Sequence, residues 1–274
     1  MTVGRVAAVG AGVTDFAPGD RVLACGRHGN YWLVDPACAD SDRPDDAYIE
    51  RLGDGVADDE AGFAILGDVA LHGVRRAGLQ IDQSVAVFGC GIVGQLTLQF
   101  ARLAGAHPVV AVDLFDSRLD KARLSGATHT INAAREDPVV ALRELTGGRG
   151  AEAVFHCAPA PGVLATALAA AAHRGTVVLT ASAPGTAEIG LQAELLRHEL
   201  TIVGVYETGL DRPHAYWPWS RARNRRACLR LLASGELRLG HLITHVAPYA
   251  EAQAVFDLLL RGGDGWLGVV FAWD

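Results

Sequence analysis

Ser84-Val-Ala-Val-Phe-Gly89-Cys-Gly91-Ile-Val-Gly94 is the stretch from which the rest of the chain is read. The apolar, β-branched run that ends at Phe88 meets a G-x-G-x-x-G turn with no spacer between them. After the turn, small or apolar residues recur at Val93, Leu96, Thr97, Phe100, Ala101 and Ala104, the spacing that lays one helical face on a sheet. A second apolar run, Val109 to Val112, closes on Asp113, about twenty residues past the last glycine. Strand, turn, helix and strand make a βαβ unit. Gly89 suits the tight turn, Gly91 the approach of backbone to a pyrophosphate, and Gly94 the close packing of helix on strand. The pyrophosphate would meet the positive helix N-terminus, so Gly89, Cys90, Gly91, Ile92, Val93 and Gly94 together form a candidate dinucleotide site. A lone glycine motif is often only a turn. The strand before it, the amphipathic helix after it and the acid that ends the next strand make this one specific.

With 274 residues, half of them hydrophobic, the chain can bury a sizeable core in one large or two ordinary domains. A formal net charge of -7 argues against a broad basic surface for nucleic acid or an anionic membrane. The one dense basic run, Arg221, Arg223, Arg225 and Arg226, reads as a solvated helix face. No apolar run reaches the ~18 residues that span a bilayer, and Met1-Thr-Val-Gly-Arg5 lacks a secretory apolar core, so the expected location is the cytoplasm. Five scattered cysteines without a C-x-x-C pair read as reduced thiols, not a disulfide framework.

In chain order, residues 4 to 22 have the texture of a small β-barrel, Tyr31 to Val34 reads as a strand, and residues 39 to 46 as an acidic loop. Residues 58 to 78 read as one helix that carries Phe63, Leu66, Val69, Ala70 and Val74 inward. After Asp113, strands are expected at 128–131, 153–156, 176–179 and 201–205, which with the first two complete a doubly wound parallel sheet. Beyond Tyr206 come an aromatic loop, a helix from about Arg221 to Ala233, a helix near 251–260 and a last strand at 267–271. The expected organisation is a Rossmann domain over 67–206 and a discontinuous second domain, 1–66 completed by 207–274.

The motifs Gly4-Arg-Val-Ala-Ala-Val-Gly10, Pro18-Gly-Asp-Arg-Val22, Leu71-His-Gly-Val-Arg-Arg76 and the glycine turn, in that order, resemble the medium-chain dehydrogenase/reductase (alcohol dehydrogenase-like) superfamily along essentially the whole chain. Arg27-His-Gly-Asn-Tyr31 and Trp217-Pro-Trp-Ser-Arg-Ala-Arg-Asn224 are similar to the branch typified by bacteriochlorophyllide a dehydrogenase. The resemblance implies an α/β fold: a Rossmann doubly wound parallel sheet plus a truncated GroES-like β-barrel catalytic domain. It implies that Asp113 takes the adenosine-ribose hydroxyls, with Leu114 and Arg118 beside it. The segments Cys157-Ala158, Thr180-Ala181-Ser182 and Val205-Tyr206-Glu207 would face the nicotinamide. A homodimer paired at the 200–205 edge strand is expected.

Departures from that pattern bear on metal. Zinc-dependent members carry a cysteine ligand and a Gly-His-Glu motif ahead of the segment that matches Gly4, and this sequence starts three residues before it. Their third ligand falls at about Ile65, which cannot ligate, and the four-cysteine structural lobe is absent. Catalytic zinc needs about three protein ligands, and the leftover Cys25, His28 and Cys38 have irregular spacing. No metal is therefore expected.

Hydride transfer without a metal needs another proton donor or a substrate whose enolate delocalises charge. The candidates are Asp68, His72, His28 and Tyr206, with Glu207, His214 and Tyr216 also following the last sheet strand. Asp68 could instead cap a turn or pair with an arginine, and His72 could be structural. Tyr216, Trp217 and Trp219, with Tyr206, either line a substrate pocket or are core under a long loop. The reading that results is a zinc-independent, NAD(H)-dependent oxidoreductase of secondary metabolism acting on a bulky secondary alcohol or ketone or a conjugated enone. The alternative is a nucleotide-binding, non-catalytic relative serving as a sensor or subunit.

Overall fold

Short apolar runs and the helices between them sort into two units in the computed structural model, which describes residues 1–25, 29–35, 48–206 and 216–273. One unit comprises Met1–Asp68, Glu207–Asp257 and Val269–Asp274, the other Val69–Tyr206 and Leu258–Gly268.

The first unit holds a three-stranded antiparallel sheet, Thr2–Arg5 (β1), Arg21–Cys25 (β2) and Tyr48–Arg51 (β3), in the order β1-β2-β3. Val22, Ala24 and Ile49 form its core, with Val6, Phe16, Trp32 and Val34 packed on them. At 31–34, where a strand is expected, Trp32 and Val34 pack inward and Tyr31 and Leu33 are exposed, but the segment is not a strand. Side-chain period alone does not create a backbone ladder. The expected single helix over 58–78 is two, Asp58–Ala61 (α1) and Ala64–Ala77 (α2), broken at Gly62, a poor helix former.

In the second unit the strands Val85–Phe88 (β4), Val109–Asp113 (β5), His129–Asn132 (β6), Ala151–His156 (β7), Ala171–Leu179 (β8) and Thr201–Gly204 (β9) form one parallel sheet. Its order is β6-β5-β4-β7-β8-β9. This is the Rossmann-type α/β fold. The helices Ile92–Leu103 (α3), Asp116–Leu124 (α4), Pro138–Leu145 (α5) and Val163–Ala170 (α6) alternate with the strands. β4 and β5 are buried at every residue, as strands covered on both faces must be. The chain reverses direction across the sheet between β4 and β7, the switch point at which open α/β sheets take ligands.

Near the C-terminus follow Arg221–Ala233 (α7), Ile243–Pro248 (β10), Ala252–Leu260 (α8) and Gly268–Ala272 (β11), with β10 and β11 paired. The basic run that opens α7 is not a solvated face. Arg223 and Arg226 are exposed, but Arg221 and Arg225 are 7% and 3% exposed. Arg221 Nε lies 3.9 Å from Asp68 Oδ2, and the Arg225 guanidinium lies 3.9 Å from the centre of the Tyr48 ring. A charged residue can face the core when a carboxylate or an aromatic face receives it.

Arg221→Ala should therefore destabilise the protein by about 3 kcal/mol, because it removes the guanidinium beside the buried Asp68 carboxylate. Arg223→Ala, which loses exposed contacts with the Trp219 ring and the Pro218 carbonyl, should cost about 1 kcal/mol. Urea melts of the two variants compare them directly, and equal losses would return the run to the surface.

Candidate functional site

At the carboxyl edge of the sheet the glycine turn is built by steric necessity. Gly89 has φ +94°, and a Cβ there would lie 2.7 Å from the Ala158 nitrogen. A Cβ on Gly94 would lie 1.9 Å from the Gly89 carbonyl oxygen, so helix and turn can approach this closely only if position 94 is glycine. Gly91 differs: a Cβ there meets nothing within 4 Å. It is the N-cap of α3, and with no side chain it leaves the first-turn N–H groups of Ile92 and Val93 without a side-chain cap. An uncapped helix start under open space is a cradle for a phosphate.

Asp113 ends β5 and is 7% exposed. Its Oδ2 accepts from the Cys90 N–H at 2.7 Å, and its Oδ1 from the N–H groups of Leu114 and Phe115 at 2.8 and 3.0 Å. Arg118 Nη1 lies 4.0 Å from the same carboxylate, with its guanidinium 5.0 Å from the Phe115 ring centre. Leu114 is exposed beside it. A residue that the sequence reading passed over, Gln95, is fully buried, and its Nε2 donates to the carbonyl oxygens of Cys90 at 3.1 Å and Arg118 at 2.9 Å. No periodicity distinguishes it, since a glutamine on a helix normally reads as surface.

The ends of the neighbouring strands converge on the same edge. Cys157 N–H donates to the Phe88 carbonyl, Thr180 and Ala181 N–H to the His156 carbonyl, and Val205 N–H to the Leu179 carbonyl. Ala158 and Ala181 are half-buried and Ser182 is exposed. Burial pushes the Cys157 thiol up to about 12, against the Thr97 and Thr180 hydroxyls that lower it. Burial, then the Asp113 charge, raises the Cys90 thiol well above its usual range. Both are protonated at neutral pH and are packing groups, not nucleophiles.

The proton-transfer candidates are in different environments. Asp68 is fully buried, with Oδ1 accepting from Asn224 Nδ2 at 2.8 Å and Arg221 beside Oδ2. His72 is 5% exposed on α2, next to Gly73, where a side chain would come within 3.2 Å of the Thr180 hydroxyl. That close approach places the His72 helix against the end of β8. Tyr206 is largely exposed just beyond β9. Tyr216 is exposed, Trp217 and Trp219 are half-buried, and the Trp219 ring carries the Arg223 guanidinium at 4.0 Å. His28, Cys38, Glu207 and His214 lie outside the described residues. Within the first unit, an apolar hollow of about 670 Å³ is lined by β1, Phe16, Trp32 and Trp273.

Among the described residues no three His, Cys, Asp or Glu side chains converge as a metal site. Ile65 stands in α2 where the resemblance puts a zinc ligand, and an alkyl side chain does not fit that role. No helix among the described residues is long and apolar enough to cross a membrane.

Comparison with known proteins matches residues 93–221 to a family model described as zinc-binding dehydrogenase. The chain is 29% identical over 256 residues to a D-guloside 3-dehydrogenase of Escherichia coli (strain K12), covering 92% of this chain and 70% of that protein. It is 27% identical over 280 residues to a sorbitol dehydrogenase of Bacillus subtilis (strain 168), covering 94% and 75%. The solved structure of alcohol dehydrogenase TADH from Thermus sp. ATN1 superposes with a TM-score of 0.75 at 26% identity, over 99% of this chain and 82% of that one.

Burial, with the Arg76 and Arg75 charges, lowers the His72 imidazole to about 4. An unfolded chain takes up that proton near the ordinary value of about 6.5, so the unfolded state binds more protons as pH falls. Stability contributed by His72 is full above about pH 6.5 and declines by up to about 3 kcal/mol as pH falls toward 4. Urea midpoints of wild type and His72→Leu from pH 7 to 4 should show the steeper decline in wild type. Parallel curves would mean that the imidazole is not held neutral.

Proposed function

We propose, on the premise that the chain belongs to the zinc-binding, alcohol dehydrogenase-like dehydrogenase family, that it moves a hydride between NAD(H) and a bulky secondary alcohol, its ketone or a conjugated enone, without catalytic zinc. The observation that carries the reading is the glycine turn: two positions closed to any side chain, a third under open space, and an uncapped helix start aimed between them. NAD(H), when bound, supplies or accepts the hydride. The chain's own part is to hold and orient it.

Ile92 and Val93 N–H groups would bind the pyrophosphate. Asp113 keeps acceptor capacity for ribose hydroxyls after its backbone bonds, since a carboxylate has about four lone-pair sites. Its charge opposes a 2′-phosphate, and Leu114 follows where an arginine would receive one. The half-buried Cys157, Ala158, Ala181 and Val205 and the buried Thr180 would face the nicotinamide and limit water there. Of the proton-transfer candidates, Tyr206 is the accessible hydroxyl at the end of β9, and we assign it the relay between substrate oxygen and solvent. His72, held neutral, can accept but does not carry a standing charge. Asp68 is committed to Asn224 and Arg221 as a brace.

Zinc independence is supported by Ile65 at the ligand position. A bulky substrate is supported by Tyr206, Tyr216, Trp217 and Trp219, whose rings bury apolar area at ~25 cal/mol per Å². The same reading puts the enzyme in the cytoplasm as a homodimer paired along β9, which lies at the sheet edge with Thr201 and Gly204 exposed.

Asp113→Ala should weaken NADH binding roughly 10- to 150-fold through lost charge-assisted bonds. Fluorescence titration with NADH and NADPH checks this, and tighter NADPH binding by wild type would falsify the NAD(H) assignment.

A panel of alcohols, ketones and enones of graded size, run with and without chelator, should give turnover only for bulky members, unaffected by the chelator and reduced by Trp217→Ala. Efficient oxidation of a three-carbon alcohol, or loss of activity with chelator, would sink the substrate or the zinc-free reading respectively. Cofactor binding with silence across the panel would favour a non-catalytic relative.

A further inference from the structure

Resting on the cofactor reading above, we propose that Gln95, outside the glycine signature, is a positioning residue for the adenosine half of the dinucleotide. It lies in the first turn of α3, fully buried. Its Nε2 donates to the Cys90 carbonyl at 3.1 Å and to the Arg118 carbonyl at 2.9 Å. Both partners are acceptors, so the amide can be placed only one way round. The Cys90 residue is held from its other side as well, its N–H donating to Asp113 Oδ2 at 2.7 Å. Cys90, in the middle of the phosphate-facing turn, is thus clamped between two buried side chains, Asp113 and Gln95.

The second bond reaches further. Arg118 stands in the first turn of α4, with its guanidinium 4.0 Å from Asp113 and 5.0 Å from the Phe115 ring centre. By tying the Arg118 backbone to the Cys90 backbone, Gln95 sets the separation between the turn that would meet the pyrophosphate and the helix start beside the ribose. The adenosine ribose would lie across that separation. Either element could be stable without the other, but a ligand that touches both requires the gap to be constant, and preorganising it removes part of the cost of binding.

A purely structural role explains Gln95 poorly. A leucine or methionine would fill the same volume, whereas Gln95 Oε1 is buried with no hydrogen-bond partner among the described residues. A buried acceptor left unmatched is unfavourable to stability. The residue keeps a polar group whose donor half is used twice, on the two backbone segments that frame the adenosine position.

The test titrates the full chain and the variants Gln95→Met and Gln95→Glu, each similar in shape, by calorimetry with NADH, ADP-ribose and reduced nicotinamide mononucleotide. Wild type should bind NADH and ADP-ribose. Both variants should weaken these two by the same factor, roughly 5- to 30-fold for two lost neutral hydrogen bonds, and leave the mononucleotide within about twofold. A merely structural role would weaken all three ligands alike or none, and either result overturns the inference. Should the variants not fold, hydrogen exchange on wild type decides: ADP-ribose should slow segments 89–95 and 115–119 together, and slowing of only one overturns it. If wild type binds neither NADH nor ADP-ribose, the cofactor reading itself falls and this inference with it. Wild-type binding with an unchanged Gln95→Met overturns this inference alone.

Discussion

The carbonyl oxygen of Gly89 and the Cα of Gly94 are so close that one added carbon would be 1.9 Å from that oxygen. This contact is what everything at the carboxyl edge of the sheet depends on. It lets α3 start directly above β4, and because β4 is central, buried and hydrogen-bonded on both sides, the start of α3 inherits its rigidity. A helix start that is fixed and left without a side-chain cap keeps its partial positive charge available in one direction. The buried runs of the neighbouring strands do the rest passively: they hold Gly89, Cys157, Thr180 and Val205 at one edge through backbone bonds.

The polar groups at that edge mostly address backbone. Asp113 accepts three peptide N–H groups, and Gln95 donates to two peptide carbonyls. Only a few side chains are therefore constrained, and the surrounding turn can vary in sequence so long as its backbone path is kept. The first unit is organised differently. Arg225 lies against Tyr48, and Asp68 lies between Asn224 and Arg221, side chain against side chain, where a change in one leaves a buried charge or amide in its partner.

This contrast also explains which parts were legible in the sequence. The parallel sheet follows from β-branched runs of four to six residues between helical spacings, and the glycine turn from three positions at fixed separation, because backbone geometry writes directly into residue type there. Burial of Arg221 and Arg225 was not legible. Helical period tells which residues share a face, but a face of arginines faces solvent or core according to what a distant segment offers, here Asp68 and Tyr48 from other elements. For the same reason Tyr31 to Val34 was read wrongly as a strand: its side chains alternate in packing, while a ladder needs a partner that local sequence does not name. Gln95 carried no signal, since its role lies in two carbonyl oxygens contributed by residues five and twenty-three positions away.

From this follows a division between what the fold guarantees and what single side chains decide. A cradle made of backbone N–H groups suits phosphate oxygens whatever the rest of the ligand is, so on the proposed reading the second unit by itself would specify a nucleotide and not a reaction. In the function proposed above, selection among nucleotides would fall to Asp113, whose charge would act on the one group by which the two nicotinamide cofactors differ. Under the same proposal, selection among substrates would fall to Tyr206, exposed beyond β9, and to the exposed Tyr216 and half-buried Trp217 and Trp219 ahead of α7. These residues sit on connecting segments, where neither strand pairing nor helical packing constrains type. Chemistry can therefore change there without disturbing β4, the glycine turn or the clamp on Cys90.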